Sequence, residues 1–379
     1  MTTSVIEEKW IGDVRWLVAT GPRRAVFHAL GEHTRPEISS LIAALPELTV
    51  LRASVDGPRG EQFHAIVEAS RLTFPIEFGE LEDLAEGSGV RLHDLLLLNL
   101  RGDLVGHDDK GCSEFGWTDG HRALLGHNED GDPRLDGACS LLTLRIDGEP
   151  AVVTWWYPGF LPGNTYTLNE HGLVWGVDTI HMASPHAAPG RTFVARSLQS
   201  VATLDGVVDF LKEHPVAGAF TYVAGQMGLP RLLIVEQAGN HVAILEPTQS
   251  PGLIWHTNHL RQLPDSLNNA SLDSLTRGAV LSGITEAPED PSVAWLLEIL
   301  TGAVPPVGVR AEGVDITLCT FVADLEARTI TLLQNGGKVV TASSAELLLG
   351  QRELPKAPVF KVAIEDDSVH RLIGGMNDD

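Results

Sequence analysis

The stretches DKGCSEFGW (109–117) and ALLGHNEDGD (123–132) contain the pattern that indicates the fold of this chain. Cys112 comes directly after a glycine, at the end of a polar, turn-like segment, and begins an apolar stretch typical of a strand. A second strand then ends in a cluster of polar residues. This order predicts an exposed linker that leads into a strand-rich region with a cysteine at its start.

The region before this linker carries apolar residues at helical spacing. Residues 37–44 and 61–84 fit amphipathic helices, and a short helix is expected at 95–100. Pro75 should kink or end the second of these runs, because proline lacks the amide hydrogen that a helix interior needs. Residues 1–110 are therefore predicted to be mostly helical.

The region after the linker is predicted to consist mainly of hairpins. Short apolar runs flank turn residues such as Asp147-Gly148, which is a strong signal for a tight turn. The expected strand pairs are 140–146 with 151–156, 165–168 with 173–180, 232–236 with 241–246, and 316–323 with 329–333. Helices are expected at 193–211, 267–281 and 293–300. Hairpins and helices in this order favour antiparallel sheets covered by helices.

Composition restricts the class of protein and its partners. Of the 379 residues, 43% are apolar and 20% are charged, which is typical of a globular protein with a sizeable core. The formal net charge of −23 repels phosphate groups and anionic membrane surfaces, so we expect neither nucleic acid nor membrane as a partner. The first residues do not resemble a signal peptide, and a cytoplasmic location is expected.

The chain has three cysteines, Cys112, Cys139 and Cys319, without the spacing of a metal site. A disulfide scaffold is not expected at this size and count. Cys139 and Cys319 lie inside apolar strands and are interpreted as core residues. A buried, inert Cys112 is the alternative to a reactive one.

Two metal sites are conceivable from residue type, and neither has the required spacing. Residues 128–132 cluster carboxylates about a glycine, but the glutamate that an EF-hand loop requires does not follow. His127, His256 and His259 do not match a standard zinc spacing. We therefore predict no metal and no cofactor.

The segment around Cys112 resembles the penicillin acyltransferase-like, peptidase C45-like branch of the N-terminal-nucleophile (Ntn) hydrolases, which includes isopenicillin N acyltransferase and beta-alanyl-amine hydrolases. Several other segments are similar to that family and follow in the same order. They are AVFHALGEH (25–33), LNLR (98–101), WHTNH (255–259) and LPDS (263–266).

The resemblance implies an α+β fold, a four-layer αββα sandwich of two stacked antiparallel sheets. It also implies that the Gly111–Cys112 bond is cleaved by the protein itself. Residues 1–111 would then be a small subunit that stays packed on the catalytic part, 112–379, as a heterodimer. The further partners implied are a small-molecule amide and, for an acyltransferase, an amine acceptor.

The resemblance assigns roles to three residues at matching positions. Cys112 is the nucleophile, Asp130 orients groups around it, and Asn258 donates to the oxyanion. Cysteine suits this role because cleavage frees its own α-amine, with a pKa of about 7.7–8.0 against about 8.5 for the thiol. The amine can therefore act as the base for its own side chain.

One position departs from the family. Val314 stands where the family's acyltransferase has an arginine, and Arg310, Arg101 or Arg196 are the candidates to supply that charge. Other residues predicted to contact the substrate are Glu114, Phe115, Trp156 and Asp178, together with Arg310.

The sequence thus predicts an enzyme that cleaves or transfers the acyl group of a small-molecule amide through a thioester on Cys112. The alternative is an uncleaved, non-catalytic small-molecule-binding protein of the same fold.

Overall fold

The computed structural model describes residues 5–104, 111–182, 185–247, 250–267, 270–302, 307 and 316–351. Its strands are β1 (Val5–Ile11), β2 (Val14–Gly21), β3 (Ser113–Thr118), β4 (Ala123–Gly131), β5 (Ser140–Ile146), β6 (Val152–Trp156), β7 (Thr167–Asn169), β8 (Leu173–Ile180), β9 (Ala219–Gln226), β10 (Leu229–Ala238), β11 (His241–Leu245), β12 (Gly252–His256), β13 (Ile316–Asp324), β14 (Thr329–Gln334) and β15 (Val340–Ser343). Its α-helices are α1 (Arg23–His33), α2 (Arg35–Ala44), α3 (Pro46–Val55), α4 (Gly60–Thr73), α5 (Pro75–Ser88), α6 (Leu92–Leu104), α7 (Arg191–Leu198), α8 (Leu204–Glu213), α9 (Leu272–Ser282), α10 (Val293–Thr301) and α11 (Ser344–Leu349).

These strands form two sheets. The larger has the order β1-β2-β5-β6-β7-β8-β9-β10-β11, and the smaller has the order β12-β3-β4-β13-β14-β15. Neighbouring strands are antiparallel except for β2 and β5, which pair in parallel from Trp16 opposite Leu141 to Gly21 opposite Ile146.

The two sheets stack face to face, with helices on their outer faces. Between the sheets, Phe321 of β13 stacks on Tyr166 with ring centroids 4.5 Å apart and meets Trp155 of β6 edge-on. On the outside, α10 packs on β3, β4 and β13, whereas α1 and α8 pack on strands of the larger sheet. The α+β, four-layer αββα fold predicted from the resemblance is confirmed.

The four predicted hairpins are confirmed by the pairing of β5 with β6, β7 with β8, β10 with β11, and β13 with β14. Pro75 separates α4 from α5, as predicted, and occupies the first turn of α5. The helix expected at 193–211 is instead two helices, α7 and α8, because the chain turns at 199–203.

The prediction for the first hundred residues was incomplete. Residues 23–104 are mostly helical, but β1 and β2 precede them as a hairpin with a two-residue turn, Gly12-Asp13. This hairpin extends the larger sheet through the parallel pairing of β2 with β5. The region before Cys112 therefore supplies sheet as well as helices.

Among the described residues, no single helix has both the length and the apolar character needed to cross a membrane. One pair, α2 and α3, meets that test only when the two are taken together across a 75° bend.

Candidate active site

Cys112 lies directly before β3, at one wall of a cavity of about 190 Å³. The pairing of β3 with β4 puts Ser113 opposite Asn128, so the cysteine reaches the end of β4. The cysteine is only 6% exposed, and it borders the cavity rather than the outer surface. Other residues that line the cavity include Arg101, Gly111, Glu129, Asp130, Tyr157 and Phe160.

The thiol of Cys112 donates to a buried carboxylate. Its Sγ lies 3.8 Å from Oε2 of Glu129. Glu129 is held on both oxygens, because the Tyr157 hydroxyl donates to Oε1 at 2.7 Å and His127 Nε2 lies 3.0 Å from Oε2. The carboxylate therefore has a fixed orientation toward the sulfur.

His127 connects Glu129 to a second carboxylate deeper between the sheets. Its Nδ1 lies 2.6 Å from Oε1 of Glu114, and both side chains are fully buried. Burial lowers the pKa of His127, but the two flanking carboxylates outweigh it and raise that pKa well above its usual value. Burial raises the pKa of Glu114 to about 8. The pair therefore retains a proton at neutral pH.

Asp130 lies near Cys112, and one of its carboxyl oxygens has no hydrogen-bond partner among the described residues. Its Oδ1 accepts a hydrogen bond from Thr317 at 2.6 Å, whereas Oδ2 is buried without a hydrogen-bond partner among the described residues. Burial raises the pKa of Asp130 to about 7, against the lowering effect of the Arg277 charge. A buried carboxyl oxygen without a partner, on a residue that lines the cavity, is available to a ligand.

Asn258 and Arg277 lie against the backbone of Gly111 and Cys112. Arg277 donates through Nη2 to Oδ1 of Asn258 at 2.8 Å, and through Nη1 to the carbonyl of Cys112 at 2.5 Å and to Oγ of Ser113 at 2.8 Å. Nδ2 of Asn258 donates to the carbonyl of Thr179 at 2.9 Å. That amide has two hydrogens, so one remains for another acceptor.

Gly111 lies against the Asn258 side chain. A Cβ atom at residue 111 would lie 1.8 Å from Oδ1 of Asn258. Any side chain at this position would displace the asparagine, so glycine is required by a close approach.

A second buried histidine fixes the segment that carries Asn258. His256 lies 2.9 Å from Asp178 through Nδ1 and 3.2 Å from Glu236 through Nε2. Glu236 also accepts from the backbone amides of residues 261, 262 and 263 at 2.6–2.9 Å. Burial lowers the pKa of His256, but the carboxylates raise it above its usual value.

The structure thus brings Gly111, Cys112, Asp130 and Asn258 together. The residues expected to contact substrate lie elsewhere: Glu114 and Asp178 are buried beside their histidines, and none of the four described ones lines the cavity. Phe115 packs edge-on against Trp295 under α10, since it points to the helix side of β3. Trp156 is buried and donates to the carbonyl of Phe160.

Of the three arginines proposed to replace the family's arginine, one lines the cavity, one does not, and one lies outside the described residues. Arg101 lines the cavity and lies over the Phe160 ring at 4.9 Å. Arg196 is paired with Glu80, and Arg310 and Val314 lie outside the described residues. The buried cation next to Asn258 is Arg277, which no sequence pattern indicated.

Glu129 and Tyr157 were not among the predicted site residues, and His127 was only a zinc candidate. His127 and Glu129 are two residues apart on β4, and that spacing puts both on one face of a strand. This two-residue spacing on a strand is the sequence signal that indicates the pair. Arg277 lies on a helix nineteen positions after Asn258, and no motif marks it.

Among the described residues, Cys112, His127 and Glu129 form a group that could hold a metal ion, with ligand atoms within 4.8 Å of one another. All three side chains already take part in the hydrogen bonds described above. His256 and His259 belong to other networks, His256 with two carboxylates and His259 with Thr257 and Ser274. The zinc alternative therefore does not assemble its three histidines.

Comparison with known proteins finds one matching family and a similar protein of known name. Residues 117–338 match the family model described as acyl-coenzyme A:6-aminopenicillanic acid acyl-transferase, a match that begins after Cys112. The chain is 27% identical over 321 residues to the beta-alanyl-dopamine/carcinine hydrolase of Drosophila melanogaster, covering 73% of this chain and 80% of the relative.

Solved structures match this chain at lower sequence identity. Penicillin V acylase from Agrobacterium tumefaciens is 12% identical with a TM-score of 0.41, covering 62% of this chain and 87% of that one. A variant of conjugated bile acid hydrolase from Clostridium perfringens is 12% identical with a TM-score of 0.43, covering 65% of this chain and 98% of that one.

Proposed function

This chain belongs to the acyl-coenzyme A:6-aminopenicillanic acid acyltransferase family, and we propose that it cleaves small-molecule amides through a thioester on Cys112. One observation carries the proposal. Cys112, directly after Gly111, faces a cavity of about 190 Å³ while Asn258 and Arg277 hold the backbone on either side of it.

The proposed enzyme matures by cleavage of the Gly111–Cys112 bond. In the intact chain, burial and then the charges of Glu129, Asp178 and Asp130 raise the pKa of the Cys112 thiol well above its usual value. An intact chain therefore holds a neutral, weak nucleophile. Cleavage frees an α-amine on the same residue, which supplies the proton acceptor that turnover needs.

Attack of sulfur on an amide carbonyl puts negative charge on oxygen. The free hydrogen of the Asn258 amide is the donor that we assign to that charge, because this side chain lies against Gly111. One preorganised donor of this kind contributes roughly 2.7–4 kcal/mol to the stability of the transition state. The thioester is then released by water or by an amine acceptor.

The cavity and the Drosophila relative together support a class of substrate. Glu129, Asp130 and Asp132 line the cavity together with Arg101 and Arg191, so that carboxyl groups outnumber guanidinium groups among these five residues. The relative's name gives beta-alanyl-dopamine and carcinine as its substrates. A beta-alanyl group carries an ammonium, which an acidic wall would favour. We therefore propose amides of small amines whose acyl part carries a positive charge.

Intact mass measurement tests this function. The purified chain should give two fragments that divide between Gly111 and Cys112 and remain together under native conditions. Incubation with a panel of amides, beta-alanyl amides included, should add the acyl mass to the 112–379 fragment before hydrolysis.

The matched control is Cys112→Ala, which should stay whole, accept no acyl group and show no turnover. Full turnover by that variant would exclude Cys112 as the nucleophile. A wild-type chain that stays whole and binds amides without turning them over would instead support the non-catalytic binding protein.

A further inference from the structure

We propose that Glu129 is the general base of self-cleavage, accepting the thiol proton of Cys112 in the intact chain. This inference rests on the proposed function, since it concerns the step that creates the mature enzyme. It assigns to Glu129 a role that the α-amine cannot have before cleavage.

The need for a second base follows from the chemistry of the intact chain. Before cleavage, the nitrogen of Cys112 belongs to the Gly111–Cys112 peptide bond, and its lone pair is delocalised into the carbonyl. It cannot accept a proton at neutral pH. Maturation and turnover therefore need different proton acceptors, although they use the same sulfur.

Glu129 meets the geometric requirement. Its Oε2 lies 3.8 Å from Sγ of Cys112, within the distance of a sulfur hydrogen bond, and it is the side-chain acceptor that the described residues provide for this thiol. Tyr157 and His127 hold its two oxygens, so no rotation is needed before the proton moves.

The surroundings favour transfer of the proton during attack rather than before it. Burial of the sulfur and, after it, the repulsion from nearby carboxylates disfavour a free thiolate. If the proton passes to Glu129 as sulfur bonds to carbon, the negative charge moves to the carbonyl oxygen of Gly111 instead. His127, between Glu129 and Glu114, offsets part of the negative charge of these carboxylates while this occurs.

The step can be written with every atom in place. Sγ gives its proton to Oε2 of Glu129 and bonds to the carbonyl carbon of Gly111, forming a tetrahedral oxyanion. Glu129 then passes that proton to the nitrogen of Cys112, the C–N bond breaks, and Gly111 becomes a thioester on sulfur. Water hydrolyses the thioester: its oxygen becomes part of the Gly111 carboxylate, one of its protons restores the thiol, and the other goes to the new α-amine or to solvent.

The geometry of Gly111 agrees with this path. Because this residue has no Cβ, the Asn258 side chain approaches its backbone directly, next to the carbonyl that is attacked. Arg277 holds the following carbonyl, that of Cys112. The scissile bond is thus fixed on both sides while Glu129 faces the sulfur.

Pulse-labelled cell-free translation of the full chain provides the test, with cleavage followed by denaturing gel and intact mass. General acid–base catalysis contributes about 10²–10⁴-fold, so Glu129→Gln should slow cleavage by at least about 100-fold. Glu129→Ala should be equally slow, and added formate, a small carboxylate, should restore part of its rate. Glu246→Gln, the same substitution on a surface carboxylate paired with Arg231, should cleave like the wild type.

The outcomes separate the two proposals. A wild-type chain that stays whole would overturn both. A wild-type chain that cleaves, together with Glu129→Gln cleaving at the same rate, would overturn the role of Glu129 alone. If Glu129→Gln fails to fold, Glu129→Ala decides: a merely structural carboxylate would give no formate-dependent cleavage, and that result would overturn the inference.

Discussion

At the scale of single residues, Gly111 is held in a position that leaves no room for a side chain. The Asn258 side chain occupies the space where a Cβ atom of residue 111 would be, since that atom would lie 1.8 Å from Oδ1 of Asn258. We expect Gly111→Ala to displace Asn258 and to leave most of the chain uncleaved, which intact mass would measure.

Gly79→Ala is the matched control for this prediction. Gly79 lies in α5, and no atom lies within 4 Å of the place that a Cβ would take, so the methyl group enters open space. This variant should cleave like the wild type and gain about 0.5–1 kcal/mol of stability from the better helix former. Normal cleavage by Gly111→Ala would show that the contact with Asn258 is not needed.

Asp130 should make the protein less stable as the pH rises. Its pKa is raised to about 7 in the fold, against about 3.9 in an unfolded chain, so folding favours the protonated carboxyl. The stability that it contributes is complete below about pH 4 and is lost as the pH rises through about 7.

Asp130→Asn removes this titration, since an amide stays neutral. In a Cys112→Ala background, which keeps every chain whole, the stability of Asp130→Asn relative to Asp130 should increase by up to about 4 kcal/mol between pH 4 and pH 8. Urea unfolding of both proteins at the two pH values measures this difference. If the two proteins differ in stability by the same amount at pH 4 and at pH 8, the predicted titration of Asp130 is contradicted.

At the scale of elements, β4 shows what alternation along a strand achieves. His127 and Glu129 point between the sheets toward the buried polar network, whereas Asn128 points outward and donates to the carbonyl of Leu300 in α10. One strand therefore builds the site with every second residue and anchors a helix with the residue between them.

Most of the hairpins could be predicted from the sequence, because a hairpin depends on local turn residues. The turn at Asp147-Gly148 identified the pairing of β5 with β6. The hairpin of β1 and β2 carries a similar signal, Gly12-Asp13, with Gly12 at a φ of +62° that favours glycine, but the helical pattern after it dominated the interpretation.

The side-chain contacts of the site could not be predicted, because they join segments that are distant in the sequence. Arg277 reaches Cys112 only because α9 packs beside β12, and a helix position does not reveal such a contact. The partner of a buried charge is set by the tertiary fold, which is why the sequence pointed to three other arginines.

Arg277→Lys, a substitution in α9, should therefore slow self-cleavage and lower the stability of the protein. Lysine cannot span the acceptors that the guanidinium joins, namely Asn258, the carbonyl of Cys112 and Ser113. We expect self-cleavage to be slowed about 10-fold or more, because a lost hydrogen bond to a charged group is worth about 1.5–3 kcal/mol. We also expect about 2–4 kcal/mol less stability from the loss of hydrogen bonds to a charged group.

Gel analysis and urea unfolding check the two parts of this prediction. Arg71→Lys, on an exposed pair with Glu68, is the control and should leave the stability almost unchanged, because solvent screens that pair. Equal behaviour of the two variants would mean that the Arg277 contacts do not support the site.

At the scale of the whole molecule, the region before Cys112 is built into the same unit as the rest. Strand β2 lies between β1 and β5, and Trp16 donates to Thr143 across that junction at 2.9 Å. Helix α6 contributes Asn99, which bonds to the backbone of Gly159 and Leu161 beside the cavity. The residues before Cys112 thus complete both the larger sheet and the site.

This architecture predicts that 112–379 does not fold alone. Without β1 and β2, strand β5 would become an unpaired edge, and α7 would lose its packing against α5 and α6. Expressed separately, 112–379 should be insoluble, and coexpression with 1–111 should restore soluble protein that elutes as one species. The matched control is the full chain with Cys112→Ala, which has the same segments and no break. A soluble 112–379 fragment with a cooperative unfolding transition would show that the first segment is an accessory, so that the parallel junction between β2 and β5 does not hold the fold together.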